Sequence, residues 1–190
     1  LKKILKNSKV QIKNEDVIVV SSKFISNSQG RILEIENSKV CNKARKIGKK
    51  FNSDERFMEI VFRESDKILG GVAGFVMSTT NGILAPNAGI DKSNSKGTKI
   101  ILYPNEPYNF AEELKRKIFL ELNLHVGVII VDSRLMPARI GTTGVAIACA
   151  GIEPTKDLRG EKDLDGNPLK VTFQATADNL ASIANHEMGE

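Results

Sequence analysis

The sequence predicts an α+β fold, a mixed sheet with helices. Short β-branched runs, Val17-Ile-Val-Val20 and Val126-Gly-Val-Ile-Ile-Val131, read as buried strands. Amphipathic stretches with helical spacing lie between such runs without strict βαβ alternation, which leaves mixed α/β as the alternative.

In chain order, residues 16–22 read as a strand that ends in hydroxyls. Asn27-Ser-Gln-Gly30 reads as a turn, and 31–35 as a second strand. Residues 40–50 and 55–69 carry helical patterning. In the latter Met58, Val61, Phe62 and Leu69 share a stripe, and Gly70-Gly71 is the expected stop. Strands at 72–78 and 99–102 flank a polar loop. After Pro107, Asn109 is placed as the cap of a helix that runs to about residue 122, with Glu112 as its third residue. Residues 126–131 form the clearest strand, and Asp132 is expected just off its end. Asp165-Gly166 signals a hairpin before 169–173. Asp178 is expected to cap a last helix that turns Leu180, Ile183, Ala184 and Met188 inward. The opening Leu1-Lys-Lys-Ile-Leu-Lys6 patterns as part of a helix.

The 190 residues are 41% hydrophobic and 27% charged, which suits a single unit, or two lobes sharing a core. Cys41 and Cys149 are far apart and unpatterned, so a disulfide scaffold is not expected, and a reducing, cytoplasmic location is. The longest apolar runs are too short to span a bilayer, and no signal peptide is visible. His125 and His186 are isolated and no C-x-x-C occurs, so any metal is expected to be a hard cation held by oxygen. The net charge of +5 raises nucleic acid as a partner. With two Tyr, eight Phe and no basic–aromatic interleaving, a lysine-rich solvated surface is the better reading. Neither a nucleic-acid nor a membrane partner is expected.

Four stretches concentrate chemistry. Asn87-Ala-Gly-Ile-Asp91-Lys-Ser-Asn94 packs amides, a carboxylate, a hydroxyl and an ammonium around a glycine, and on one helical turn Asp91 and Asn94 would share a face. Its plain alternative is a surface turn. Asp132-Ser133 places hard oxygens at a strand end, a combination suited to Mg²⁺ or Mn²⁺ beside phosphate; equally it is a polar stop to the strand. Arg134 and Arg139 lead into Gly141-Thr-Thr-Gly144, and guanidinium forks suit carboxylate or phosphate. This is no Walker loop, because no lysine follows Gly144. Ser21-Ser22-Lys23 with Ser26-Asn27 offers hydroxyls and an ammonium at another strand end, all of them ordinary surface residues as well. Asp163-Leu-Asp165-Gly166-Asn167 fails as a calcium loop, since its glycine comes early and position twelve is Gln174. Gly70-Gly-Val-Ala-Gly74 has the wrong order for a dinucleotide fingerprint, following a helix and preceding a strand.

Taken in order over nearly the whole chain, these stretches resemble the coenzyme F(420):L-glutamate ligase, or γ-glutamyl ligase, family. The markers are Asp16-Val-Ile-Val-Val-Ser-Ser-Lys23 through Gly30-Arg31, Arg63-Glu-Ser65, Asn87 through Asn94, and Val126 through Asp132. Gly144-Val-Ala-Ile147 with Gly151, Asp157-Leu-Arg-Gly160 with Asp163, and Ala177-Asp178 through Met188-Gly189 complete them. The resemblance implies a γ-glutamyl ligase-like fold, an intertwined homodimer, and GTP-dependent addition of L-glutamate to the phosphate-bearing tail of a deazaflavin coenzyme. The implied route passes the γ-phosphate to the acceptor carboxylate, and the glutamate amine then attacks the acyl phosphate. It also implies divalent Mg²⁺ or Mn²⁺, with K⁺ a candidate monovalent ion. By resemblance Asp91, Asp132 and Ser133 are metal ligands, Ser133 standing where the family usually has Thr. Ser22, Lys23, Asn27 and Asn94 fall at nucleotide positions, and Arg139 joins the two aspartates as a catalytic candidate.

The departures are specific. Asn27 stands where the family usually has lysine. Pro137 and Arg139 match, while Leu135-Met136 replace a Gly-Arg pair on the substrate side. They motivate two alternatives: a ligase with another carboxylate acceptor, and a non-catalytic nucleotide- or deazaflavin-binding protein. The resemblance further implies a family strand before residue 1 and a closing segment after residue 190.

Overall fold

The computed structural model describes residues 11–92, 99–136 and 138–189. The expected opening helix lies outside them. Ser22–Asn105 form one compact unit, and the described residues before and after form a second.

The second unit is built on three strands in the order β1 (Val17–Ser21), β7 (Gly127–Leu135), β8 (Thr142–Ala150). β1 runs parallel to β7 with Val17 opposite Gly127 and Ser21 opposite Val131; β7 and β8 form an antiparallel hairpin. Residues 127–131 are buried throughout, as a central strand covered on both faces must be. Ile129 and Val131 pack with Ala177 and Ala181 of α5 (Thr176–Met188). α4 (Pro107–Leu122) also packs on β7 and β8, burying Ala111, Leu114 and Ile118. Helix α5 can approach this closely because strand residue 144 is glycine: a Cβ there would lie 2.4 Å from the Ala181 carbonyl. An arm carries the short strands β9 (Lys156–Asp157) and β10 (Phe173–Gln174), with a further bridge between Lys162 and Pro168.

The Ser22–Asn105 unit contains α1 (Ser22–Ser28), β2 (Ile32–Glu34), α2 (Asn42–Lys50) and α3 (Glu55–Glu64). The sheet β3 (Lys67–Val72), β4 (Phe75–Thr80), β5 (Ile83–Pro86) follows, and then β6 (Lys99–Ile101), which pairs with β2. Its core gathers Phe57, Met58, Ile60 and Val61 of α3 with Val76, Ala88, Ile100 and Leu102. Asp54 caps α3 by accepting the Phe57 N–H at 2.8 Å, and the buried Glu59 carboxylate accepts the Cys41 N–H at 2.8 Å, joining the start of α2 to α3.

The α+β class is borne out, and several boundaries move. Residues 22–28 form a helix that the sequence reading assigned partly to a strand and partly to a turn. The helix expected over 55–69 ends at Glu64: Ser65 is extended, and the Asp66 N–H donates to the Thr79 carbonyl, drawing the following residues into the ladder with β4. Leu69 is consequently exposed, and Gly70-Gly71 lie inside β3 rather than stopping a helix. α4 starts at Pro107 behind Glu106, so Asn109 is a helix residue whose amide donates to Glu106. α5 starts at Thr176. Asp178 is its third residue and accepts the Ala146 N–H of β8 at 2.9 Å instead of capping the helix. Ala177 and Ala181 form the buried stripe; Ile183 and Met188 are exposed. Asp165-Gly166 do turn an arm, held by Asp163, whose Oδ1 accepts the Asp165 and Asn167 N–H groups.

Candidate functional site

In the Ser22–Asn105 unit, α1 carries the nucleotide candidates. Ser22 is buried at the helix start, Lys23 follows half-exposed, and Asn27 is exposed one turn on. The Lys23 ammonium lies 2.5 Å from the Asp91 carboxylate, so the structure brings together two residues that sequence reasoning placed in separate roles. Asp91 is not on a helical turn: its N–H and C=O bridge Ile101 of β6 at 2.9 and 3.0 Å. Asn94 lies outside the described residues.

Lys92 continues from Asp91 with its ammonium 3.2 Å from the centre of the buried Phe57 ring. Desolvation there pushes the Lys92 ammonium below its ordinary pKa, opposed by the Asp54 charge. Elsewhere in this unit Arg31 joins Gly30-Arg31 to the Arg63-Glu-Ser65 stretch through an ion pair with Glu64, and its Nε donates to the Tyr103 carbonyl at 3.1 Å.

In the other unit, Asp132 is inside β7 rather than beyond it, because β8 extends the antiparallel ladder to Leu135 opposite Thr142. The parallel ladder with β1 does end one residue earlier, at Val131. At Ile130/Val131 the register shifts, leaving Ile147 of β8 as the extra residue opposite, so the irregularity lies in the partner strand. Asp132 and Arg134, two apart on a strand, share a face, and the Arg134 Nε lies 3.2 Å from the Asp132 carboxylate with both side chains largely buried. From sequence Arg134 is only a guanidinium; its pairing requires strand geometry through residue 135. The same alternation directs Ser133 to the opposite face from Asp132, and Ser133 is exposed. Arg139 is exposed in the hairpin turn, its N–H donating to the Met136 carbonyl. Pro137 lies outside the described residues.

The donors fit a hard cation. Each candidate carboxylate already attracts a positive group, Lys23 at Asp91 and Arg134 at Asp132. Among the described residues no three His, Cys, Asp or Glu side chains gather into a cage. Mg²⁺ commonly uses one or two carboxylates and completes its shell with water and substrate phosphates. No helix among the described residues is long and apolar enough to cross a membrane.

The chain is thus α+β, with one carboxylate–cation pair in each unit, Lys23–Asp91 and Arg134–Asp132. A family model described as F420-0:Gamma-glutamyl ligase matches residues 1–190, and the chain belongs to that family. The coenzyme F420:L-glutamate ligase of Archaeoglobus fulgidus is 36% identical over 184 residues, covering 97% of this chain and 74% of the relative. The ligase of the same name from Methanocaldococcus jannaschii is 36% identical over 181 residues, covering 94% of this chain and 72% of the relative. The Methanopyrus kandleri ligase is 32% identical over 181 residues, covering 95% and 72%.

Proposed function

We propose that this protein is a ligase that adds L-glutamate to a deazaflavin coenzyme of the F420 type, with GTP as the phosphoryl donor. Family membership along the full chain supports the ligation, and the Lys23–Asp91 pair at 2.5 Å is the structural observation that favours phosphate chemistry. An acceptor carboxylate oxygen attacks the γ-phosphorus and GDP departs, leaving an acyl phosphate. The glutamate amine then attacks the acyl carbon, inorganic phosphate leaves, and the nitrogen loses a proton.

Phosphoryl transfer asks chiefly for positioning and charge neutralisation. In this reading Asp91 and Asp132 would each offer a carboxylate ligand to divalent Mg²⁺ or Mn²⁺, which would neutralise phosphate oxygens and polarise the transferring group. Lys23 neutralises further phosphate charge, with Ser22, Asn27 and Asn94 as nucleotide contacts. Arg139 supplies a fork for a carboxylate or phosphate. Ser133 is the third candidate ligand; since the strand directs its hydroxyl away from the Asp132 face, Ser133→Ala is expected to perturb Mn²⁺ dependence far less than Asp132→Asn. K⁺ is a further ion to test, and a homodimer is the proposed assembly. The fully exposed Leu164 on the arm and Ile140 in the hairpin turn suit coverage by a second copy.

The acyl-phosphate route is tested by labelling the acceptor carboxylate with ¹⁸O. Label in the released phosphate supports the route; unlabelled phosphate accompanying ligation contradicts it. Exposed, apolar Leu135 and Met136 in the substrate-side stretch favour a second reading, the same chemistry on another carboxylate acceptor. Glutamate-dependent GDP release with another acid, and none with the deazaflavin, selects that reading.

A further inference from the structure

We propose that Ser78 and Asn87 are positioning residues for the Asp91 carboxylate, acting through a left-handed turn that they lock from behind. The inference rests on the reading of Asp91 as a metal ligand.

After β5 the chain takes three successive positive φ angles, +50° at Asn87, +58° at Ala88 and +68° at Gly89. L residues disfavour this region, and a run of them persists only where surrounding contacts over-determine it. Two β4 neighbours supply those contacts. The Asn87 Oδ1 accepts the Val76 N–H at 2.9 Å, while the Ser78 hydroxyl donates to the Ala85 carbonyl at 2.9 Å and accepts the Ala88 N–H at 3.0 Å. Tyr103 closes the other side, leaving no room for a side chain at residue 89. The Ile90 N–H then returns to the Asn87 carbonyl at 3.1 Å, and the next residue is Asp91, clamped to Ile101.

Ser78 is fully buried in a unit whose other inward-facing residues are mostly apolar. Alanine would satisfy that burial but would leave the Ala88 N–H and the Ala85 carbonyl without their Ser78 partner. The hydroxyl is therefore placed for the turn. The turn sets the direction from which Asp91 enters its bridge, and so where its carboxylate stands beside Lys23.

The test titrates Mn²⁺ into the full-length protein with GDP present, followed by electron paramagnetic resonance, alongside thermal melts. Ser78→Ala and Asn87→Gly are compared with Asn87→Asp and Asp91→Asn. Asn87→Gly keeps the freedom for positive φ and loses the acceptor; Asn87→Asp keeps both. Loss of a group that orients a ligand typically weakens metal binding about tenfold or more. We expect that loss in Ser78→Ala and Asn87→Gly, and parental affinity in Asn87→Asp. A merely structural role would lower the melting temperature and leave Mn²⁺ affinity alone. If Asp91→Asn weakens binding while folded Ser78→Ala and Asn87→Gly bind like the parent, the positioning inference is overturned and the Asp91 reading stands. If Asp91→Asn binds like the parent, the Asp91 reading fails, and the inference with it. Should Ser78→Ala not fold, the two Asn87 variants decide alone.

Discussion

Gly89→Ala should be among the most damaging single-methyl changes available to this protein. A Cβ at residue 89 would lie 2.2 Å from one Tyr103 ring carbon and 2.8 Å from the next, against 3.4–4 Å for ordinary contact. The ring is 2% exposed, so it has nowhere to go. Holding an L residue in the left-handed region costs about 1–2 kcal/mol. Forcing a methyl into a packed core adds roughly 1–3 kcal/mol. The sum, about 2–5 kcal/mol, corresponds to a drop of roughly 5–15 °C in melting temperature for a chain of this size. Gly74→Ala is the control, because Gly74 has φ +81° but nothing within 4 Å of its would-be Cβ. It should lose only the backbone part, about 1–2 kcal/mol. Thermal melts by circular dichroism compare the two. Equal losses in both variants would refute the packing of Tyr103 on Gly89, and with it the tight turn before Asp91.

The Cys41 N–H and thiol hold the Glu59 carboxyl below its ordinary value of 4.5, against the opposing effect of burial and with help from Arg63. Its contribution is therefore present above that value and is lost as pH falls through the lower folded value; Glu59→Gln should flatten the fall in melting temperature seen by parent protein in acid. On the surface arm, the Arg159 side chain and N–H hold the Asp157 carboxyl at about 2, and Arg159→Gln should return its NMR titration toward 3.8. Among the described residues the buried Ser26 hydroxyl of α1 has no hydrogen-bond partner, so Ser26→Ala should raise stability by about 1 kcal/mol in a denaturant melt.

What sequence could disclose follows from where the information sits. The strand cores at 17–20 and 127–131 are runs of β-branched residues buried on successive positions, and such runs declare themselves without tertiary context. The end of α3 did not: Met58, Val61 and Leu69 fit a helical stripe, but cross-strand pairing with β4 claims residue 67 onward. Asp132 stood out as a candidate but was illegible as a strand residue, because only the partner strand β8 carries the ladder past it. The pairing of Lys23 with Asp91 joins residues far apart in sequence, and no local pattern encodes it. Ser78 gave no signal at all, since its hydroxyl serves a turn that begins nine residues later.

The central claim is glutamate ligation at the expense of GTP. Full-length protein incubated with GTP, Mn²⁺, L-glutamate and the deazaflavin acceptor should release GDP and phosphate in step with an acceptor one glutamate heavier by mass spectrometry. Asp91→Asn and Asp132→Asn, still folded, should form neither. Undiminished product from those variants, or no glutamylated product from the parent, would contradict the account.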